Sequence, residues 1–191
     1  WARQRTPDAR GDLLECVYHR LAADEATGLL ELRGAFDGFI RAAEFGLAER
    51  LLDYAGEQQA VLSQRGQHWL RALGAQLRQA GPQQEAGESI FGELASEAGD
   101  PLLRAVARRS LAELLAQQWQ WASSLDELQA ALRAFGELGD EREIANTQAT
   151  LGLVFVGLAE AAGGLWEELP MPESPAARWL HGLEHAPFLA Y

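Results

Sequence analysis

Lysine is missing from this 191-residue chain, whose 16 basic residues are all arginine. A P-loop needs a lysine to reach its phosphates, and a Schiff-base enzyme needs a lysine amine, so this segment can supply neither chemistry. The arginine bias itself reads as composition rather than function. Cysteine is nearly missing as well. Cys16 stands alone, which excludes an internal disulfide framework and a Cys-rich zinc site. Set among Leu14, Val17 and Leu21, it is expected to be a buried structural thiol, and a cytoplasmic location is the expected setting. Long apolar runs are absent: none approaches the ~18–20 residues of a membrane span. There is no signal-peptide pattern, and no membrane partner is expected. Positive charge is scarce overall, with 28 acidic residues against 16 basic and a net charge of −12. That balance argues against binding a phosphate backbone, hence against nucleic acid as a partner. The first residue is Trp1 rather than methionine, which we read as a piece cut from a longer protein.

What the chain does have is apolar content, 48%, enough for one sizeable core or a short stack of repeats. Residues 1–11 are polar, with Pro7 and Gly11, and read as a lead-in. Asp12 is expected to cap a first helix that buries Leu13, Leu14, Val17, Tyr18 and Leu21. Asp24 opens a second helix through Leu29, Leu32, Phe36, Phe39 and Ile40. A third turns Ala48, Leu51, Leu52 and Ala55 inward. The fourth covers residues 62–79, Gly81-Pro82 makes a turn, and a fifth helix carries Ala86, Ile90 and Leu94. Gly99-Asp100-Pro101 ends one helix and starts another, with Asp100 as the N-cap and Pro101 as the first helical residue. Gly139-Asp140 repeats that punctuation, and Asp140 with Glu143 makes a capping-box-like pair. Beyond Gly163-Gly164 the helical pattern fades. Pro170, Pro172 and Pro175 exclude a regular helix there, while residues 176–184 could form a short one. Strand content should be close to zero.

Certain pairs recur. Leu73-Gly74 returns as Leu111-Ala112 after 38 residues and as Leu151-Gly152 after 40 more, and a weaker Ala35-Phe36 lies 38 before the first. A fixed period of this size means stacked helical hairpins. Small residues let the two helices of a hairpin approach, and large ones at helical spacing fill the groove between them. Leu111-Ala112, for instance, is followed by Leu115, Trp119, Ser124, Leu128 and Ala131. The pattern resembles the tetratricopeptide repeat (TPR) in its long-helix form. Leu138-Gly139-Asp140, with Leu151-Gly152 and Phe155, carries most of the likeness. Trp119 stands where a small residue is usual and Ser124 where alanine is usual. The first unit lacks Leu-Gly, and the fourth loses its second helix to prolines. The resemblance implies an all-α right-handed solenoid of about four hairpins. Residues 1–24 would be the lead-in and first helix, 25–164 the repeat array and 165–191 an irregular tail. The helical style is also similar to C-terminal regions of large bacterial signalling ATPases and regulators.

The resemblance further implies which positions line a concave face. Arg33, Asp37 and Arg41 come from the first unit; His68, Arg71 and Arg78 from the second. The third contributes Arg109, Glu113 and Gln117, and the fourth Asn146, with Leu153 and Val156 forming an apolar end. Arginine holds the same phase in three units, at Arg33, Arg71 and Arg109, and its fork suits carboxylates and phosphates. Two readings stand. In one, these arginines hold a ligand; in the other, they pair with acidic residues of adjacent helices, such as Asp37 and Glu113, or reach into solvent.

Catalytic and metal constellations are weak. His181 and His185 share a helical face with Glu184 between them but have no third ligand. Ser89, in GESIFG, misses the nucleophile elbow by one position. The carboxylates fall mainly on outward phases, as solvated faces do. Trp69, Trp119 and Trp121 are expected to pack between helices, and Trp166 and Trp179 to pack the tail against the last hairpin or against whatever follows in a longer protein. The expectation is a non-catalytic interaction or sensor module without metal or cofactor. Its partner would be a protein or peptide carrying acidic groups, bound in the concave groove, or a neighbouring domain of the same chain.

Overall fold

The computed structural model describes residues 9–80 and 87–161, which are all-helical and contain no strand. The helices are α1 (Ala9–Ala23), α2 (Glu25–Arg41), α3 (Phe45–Glu57), α4 (Gln64–Ala80), α5 (Gly87–Glu97), α6 (Pro101–Gln117), α7 (Trp121–Leu138) and α8 (Glu141–Ala161). The chain forms two compact units, Trp1–Leu103 and Arg104–Tyr191, with the division falling inside α6.

In the first unit, α1 packs on α2 and α3, α2 on α3 and α4, α3 on α4, and α4 on α5. Among the described residues each helix thus meets chiefly those one or two places along. Asp24 caps α2 as expected, its carboxylate accepting from the N–H groups of Ala26 and Thr27 and from the Thr27 hydroxyl. The α1–α2 crossing is close because Gly28 has no side chain: a Cβ there would lie 2.6 Å from the backbone N and Cα of Leu21. Leu14, Val17 and Leu21 are the buried face of α1. Three expectations fail on this helix, the first being that Leu13 is buried: it is exposed. Asp12 lies within its first turn rather than before it, since the helix already begins at Ala9. Cys16 is exposed, because it falls two positions after Leu14 and one before Val17, off their shared face. At the start of α4, Ser63 donates its N–H and hydroxyl to Glu25 of α2, tying two helix ends together.

The second unit has a core of Ala112, Leu125, Leu128, Leu151 and Val154, drawn from α6, α7 and α8, with Trp121, Leu132, Phe155 and Leu158 packed around it. Ala112 and Ser124 make the close approach of α6 and α7. Both are fully buried, and the Ser124 hydroxyl donates to the Ala112 carbonyl at 2.8 Å. The serine hydroxyl thus adds a hydrogen bond where the two helices meet. Gly139 ends α7 in the left-handed region, with its N–H on Gly136 and that of Asp140 on Phe135. Trp119 ends α6 in the same way at φ 64°, with its N–H on Ala116 and that of Gln120 on Leu115. It is 70% exposed, so the expectation that it packs between helices is wrong. The left-handed cap turns its indole outward, edge-on to Trp121. Trp69, by contrast, is 1% exposed.

α8 is 21 residues with mean hydropathy 1.2 in its most apolar stretch, long and apolar enough to cross a membrane by length and composition alone. Its apolar residues do not form an unbroken run, because Asn146, Gln148 and Thr150 interrupt them. The turn at Gly81-Pro82, Ala86, the lead-in before Ala9, Gly163-Gly164, the prolines after residue 169, residues 176–184, Trp166, Trp179, His181, Glu184 and His185 lie outside the described residues.

Candidate functional site

Three arginines share one repeat phase but have different surroundings. In the first unit, Arg33 of α2 lies over the Trp69 ring, 4.4 Å from its centroid, a cation–π contact. Arg71 of α4 pairs with Glu93 of α5 at 2.8 Å, and its side chain stays 46% accessible. The Arg71 hydrogen bond and charge, with a hydrogen bond from Ser89, hold the Glu93 carboxyl below the usual range against the opposing effect of burial. In the second unit, Arg109 of α6 is only 15% accessible. It is ion-paired with Glu143 of α8, itself 5% accessible, and lies 3.9 Å from Glu113 of its own helix. Its Nε, buried, has no hydrogen-bond partner.

Burial pushes the Glu113 carboxyl upward. The Arg109 charge and a hydrogen bond from Thr150 oppose this, and the second carboxylate, Glu143, adds to it. Glu113 keeps part of its edge open to solvent, at 37% of the side chain. The crowding comes from atoms packed around the carboxyl group rather than from complete enclosure. Glu143 had been read as the distal half of a capping box with Asp140. Only one half forms: Asp140 accepts from the Glu143 N–H, while the Glu143 side chain turns inward to Arg109. An acid three residues after an N-cap does not reveal from sequence whether it will accept from the cap's own backbone N–H or from a guanidinium on another helix.

Other predicted positions are more open. The Arg41 side chain is exposed, and its Nε donates to the Asp37 carbonyl at 3.1 Å. Arg78, Gln117 and Asn146 are exposed too, and the Asn146 carbonyl accepts from Thr150. Leu153 and Val156 face solvent on α8.

His68 lines an open cleft of about 610 Å3 in the first unit, together with Gln64, Arg65, Glu97, Gly99, Asp100, Pro101 and Leu103. Asp100 organises its floor. One carboxylate oxygen caps α6 through the N–H groups of Leu102 and Leu103; the other accepts from Trp69 Nε1 at 2.9 Å and Arg65 Nε at 2.7 Å. Burial alone would raise the Asp100 carboxyl. The bonds from Trp69 and Arg65, the Arg65 charge and the Leu102 N–H outweigh it and hold the pKa low. With Nε committed to Asp100, the outer nitrogens of the Arg65 fork belong to a side chain 52% accessible. Arg65 was not among the predicted residues, although it precedes His68 by three, a spacing that keeps both on one side of α4. Arg65, His68, Arg71 and Arg78 then recur along half the circumference of one helix.

Among the described residues no group of three His, Cys, Asp or Glu side chains is placed to hold a metal ion. No family model, curated protein or solved structure matches this chain. The likeness to TPR units therefore rests on the quoted residues alone.

Proposed function

We propose that this chain is a non-catalytic interaction module, a TPR-like α-solenoid whose first unit binds an acidic segment of a protein or peptide. The observation that carries this reading is the arginine-bearing side of α4. Arg65, His68, Arg71 and Arg78 are all at least partly open to solvent in a chain with a net charge of −12. A guanidinium fork beside an imidazole matches a carboxylate, and the negative charge elsewhere on the chain repels acidic ligands from other surfaces, so discrimination rests on the local arginines. The solenoid reading draws on the neighbour-by-neighbour packing of α1 to α5, the period of the Leu-Gly pairs and the Ala112–Ser124 approach. Arg109 is not part of the binding surface in this reading, because its charge is committed to Glu143 and Glu113.

The test is the affinity of the whole chain for a labelled Asp/Glu-rich peptide, measured by fluorescence anisotropy. Substituting Arg71→Gln and Arg78→Gln together should weaken binding at least about tenfold, ~1.4 kcal/mol. Wild-type binding should fall as salt rises. Equal affinity for both proteins, or for a neutral peptide of the same length, would remove the reading. A second reading has the chain as an intramolecular scaffold that docks on and regulates a neighbouring domain; the exposed apolar residues of α8 favour it.

A further inference from the structure

The cleft beside α4 sets one guanidinium, that of Arg65, against two carboxylates, Glu97 and Asp100. Asp100 is engaged at both oxygens, one capping α6 and the other accepting from Trp69 Nε1 and Arg65 Nε. Glu97, exposed at the end of α5, has no hydrogen-bond or ion-pair partner among the described residues; nor has the half-buried His68 imidazole. The Arg65 charge also reaches Glu25 of α2, whose carboxylate is held by Ser63.

Two groups of opposite character are thus left to a ligand in one cleft. The outer nitrogens of Arg65 can still donate, and the Nε–Asp100 bond aims them, because a planar guanidinium fixed at one nitrogen has its other donors fixed as well. Glu97 is a carboxylate without a cation. A ligand that is only anionic would share Arg65 with Asp100 and be repelled by Glu97. A ligand that is only cationic would leave the Arg65 fork unused. One that carries an ammonium a few atoms from a carboxylate satisfies both. There is room for it: the volume of about 610 Å3 lies within the ~300–1,000 Å3 of small-ligand pockets, and a Cβ built on Gly99 in the cleft wall would meet nothing within 4 Å.

We propose that this cleft binds the free amino terminus of an acidic segment, with the ammonium at Glu97 and the carboxylate of a first Asp or Glu on Arg65 and His68. The inference rests on the acidic-segment reading and specifies which end of the segment enters the cleft. A free acidic amino acid carries the same pair of groups, and the test separates the two sources.

Fluorescence anisotropy of the whole chain with an Asp/Glu-rich peptide labelled at its carboxyl end tests it. Acetylating the amino terminus of the peptide should weaken binding at least about threefold, the scale of a partly exposed ion pair. Glu97→Gln should remove that difference by weakening the free-ended peptide alone. Glu137→Gln, which deletes one exposed carboxylate of α7, should leave the difference intact. Equal binding of the two peptide forms by the unaltered chain overturns the inference and leaves the acidic-segment reading standing; a chain that binds neither form removes both. A difference that survives Glu97→Gln, or that Glu137→Gln narrows as much, also overturns it, since the overall charge of the chain would then be the cause. Competition names the source. Displacement of the free-ended peptide by millimolar L-glutamate but not by N-acetyl-L-glutamate assigns the cleft to a free amino acid, and no displacement by either assigns it to a chain terminus. Equal displacement by both overturns the inference, because the ammonium would then not matter.

Discussion

Arg71 and Arg109 lie one 38-residue sequence period apart, yet one lies on the surface and the other is locked inside its unit. Arg71 meets Glu93, and both side chains are about half accessible, at 46% and 49%. Arg109 meets Glu143 with 15% and 5% accessible, and Glu113 crowds the same spot. Surface pairs are weakened by water and by side-chain entropy, so Arg71 can release Glu93 for an incoming carboxylate at little expense. A buried pair cannot do so, because removing one partner leaves a charge without water or counter-charge. The difference lies in what packs around the arginine, and repeat phase carries no information about that.

Four substitutions sharpen or break this contrast. Arg109→Ala should destabilise the protein by about 3–5 kcal/mol, because the buried Glu143 carboxylate loses the guanidinium it is ion-paired with; calorimetry would read this as a large fall in Tm. Asp100→Ala should cost about 1–3 kcal/mol, through the lost cap of α6 and the stranded Trp69 N–H. Its effect should also depend on pH. The folded-state pKa of Asp100 lies below its ordinary 3.8, so its contribution is complete above 3.8 and disappears as the pH falls through the lowered value. The gap between wild type and variant, followed by circular dichroism, should close in acid; a gap that persists there means the carboxylate charge is not what matters. Trp119→Gly should stabilise by about 1 kcal/mol in urea melts, since a left-handed residue with a Cβ is strained and this indole is mostly in water. A loss instead would mean that the Trp119–Trp121 edge contact outweighs the strain. Arg71→Ala should leave stability close to unchanged and show its effect in peptide affinity.

Much of the fold was legible because the signals were local. Asp24, Asp100 and Gly139 mark helix ends through backbone groups within three residues of themselves, and the buried faces follow from spacing of three and four. What failed was set by neighbours distant in sequence or by one-residue phase. Cys16 lies among leucines in sequence and faces water in space. Trp119 took a cap that Gly139 fills in the next helix, and nothing about a tryptophan signals a left-handed residue. The site was legible only in part. Arg71 and Arg109 were singled out by their phase, but their partners Glu93 and Glu143 come from 22 and 34 residues away in the chain, and Asp100 reaches back 35 residues to Arg65. Asp100 is also the case in which one residue fills two roles, capping a helix and anchoring Arg65 beside the cleft. The sequence pattern exposes only the first.

The contrast between the two arginines is tested most directly by urea unfolding of Arg71→Ala and Arg109→Ala in the same buffer, followed by circular dichroism at 222 nm, a wavelength that tracks helix content. The predicted outcome is a midpoint for Arg71→Ala indistinguishable from wild type and a much lower one for Arg109→Ala. Equal shifts, or a larger one for Arg71→Ala, would contradict the division between an exposed arginine free to bind and a buried one that holds its unit together.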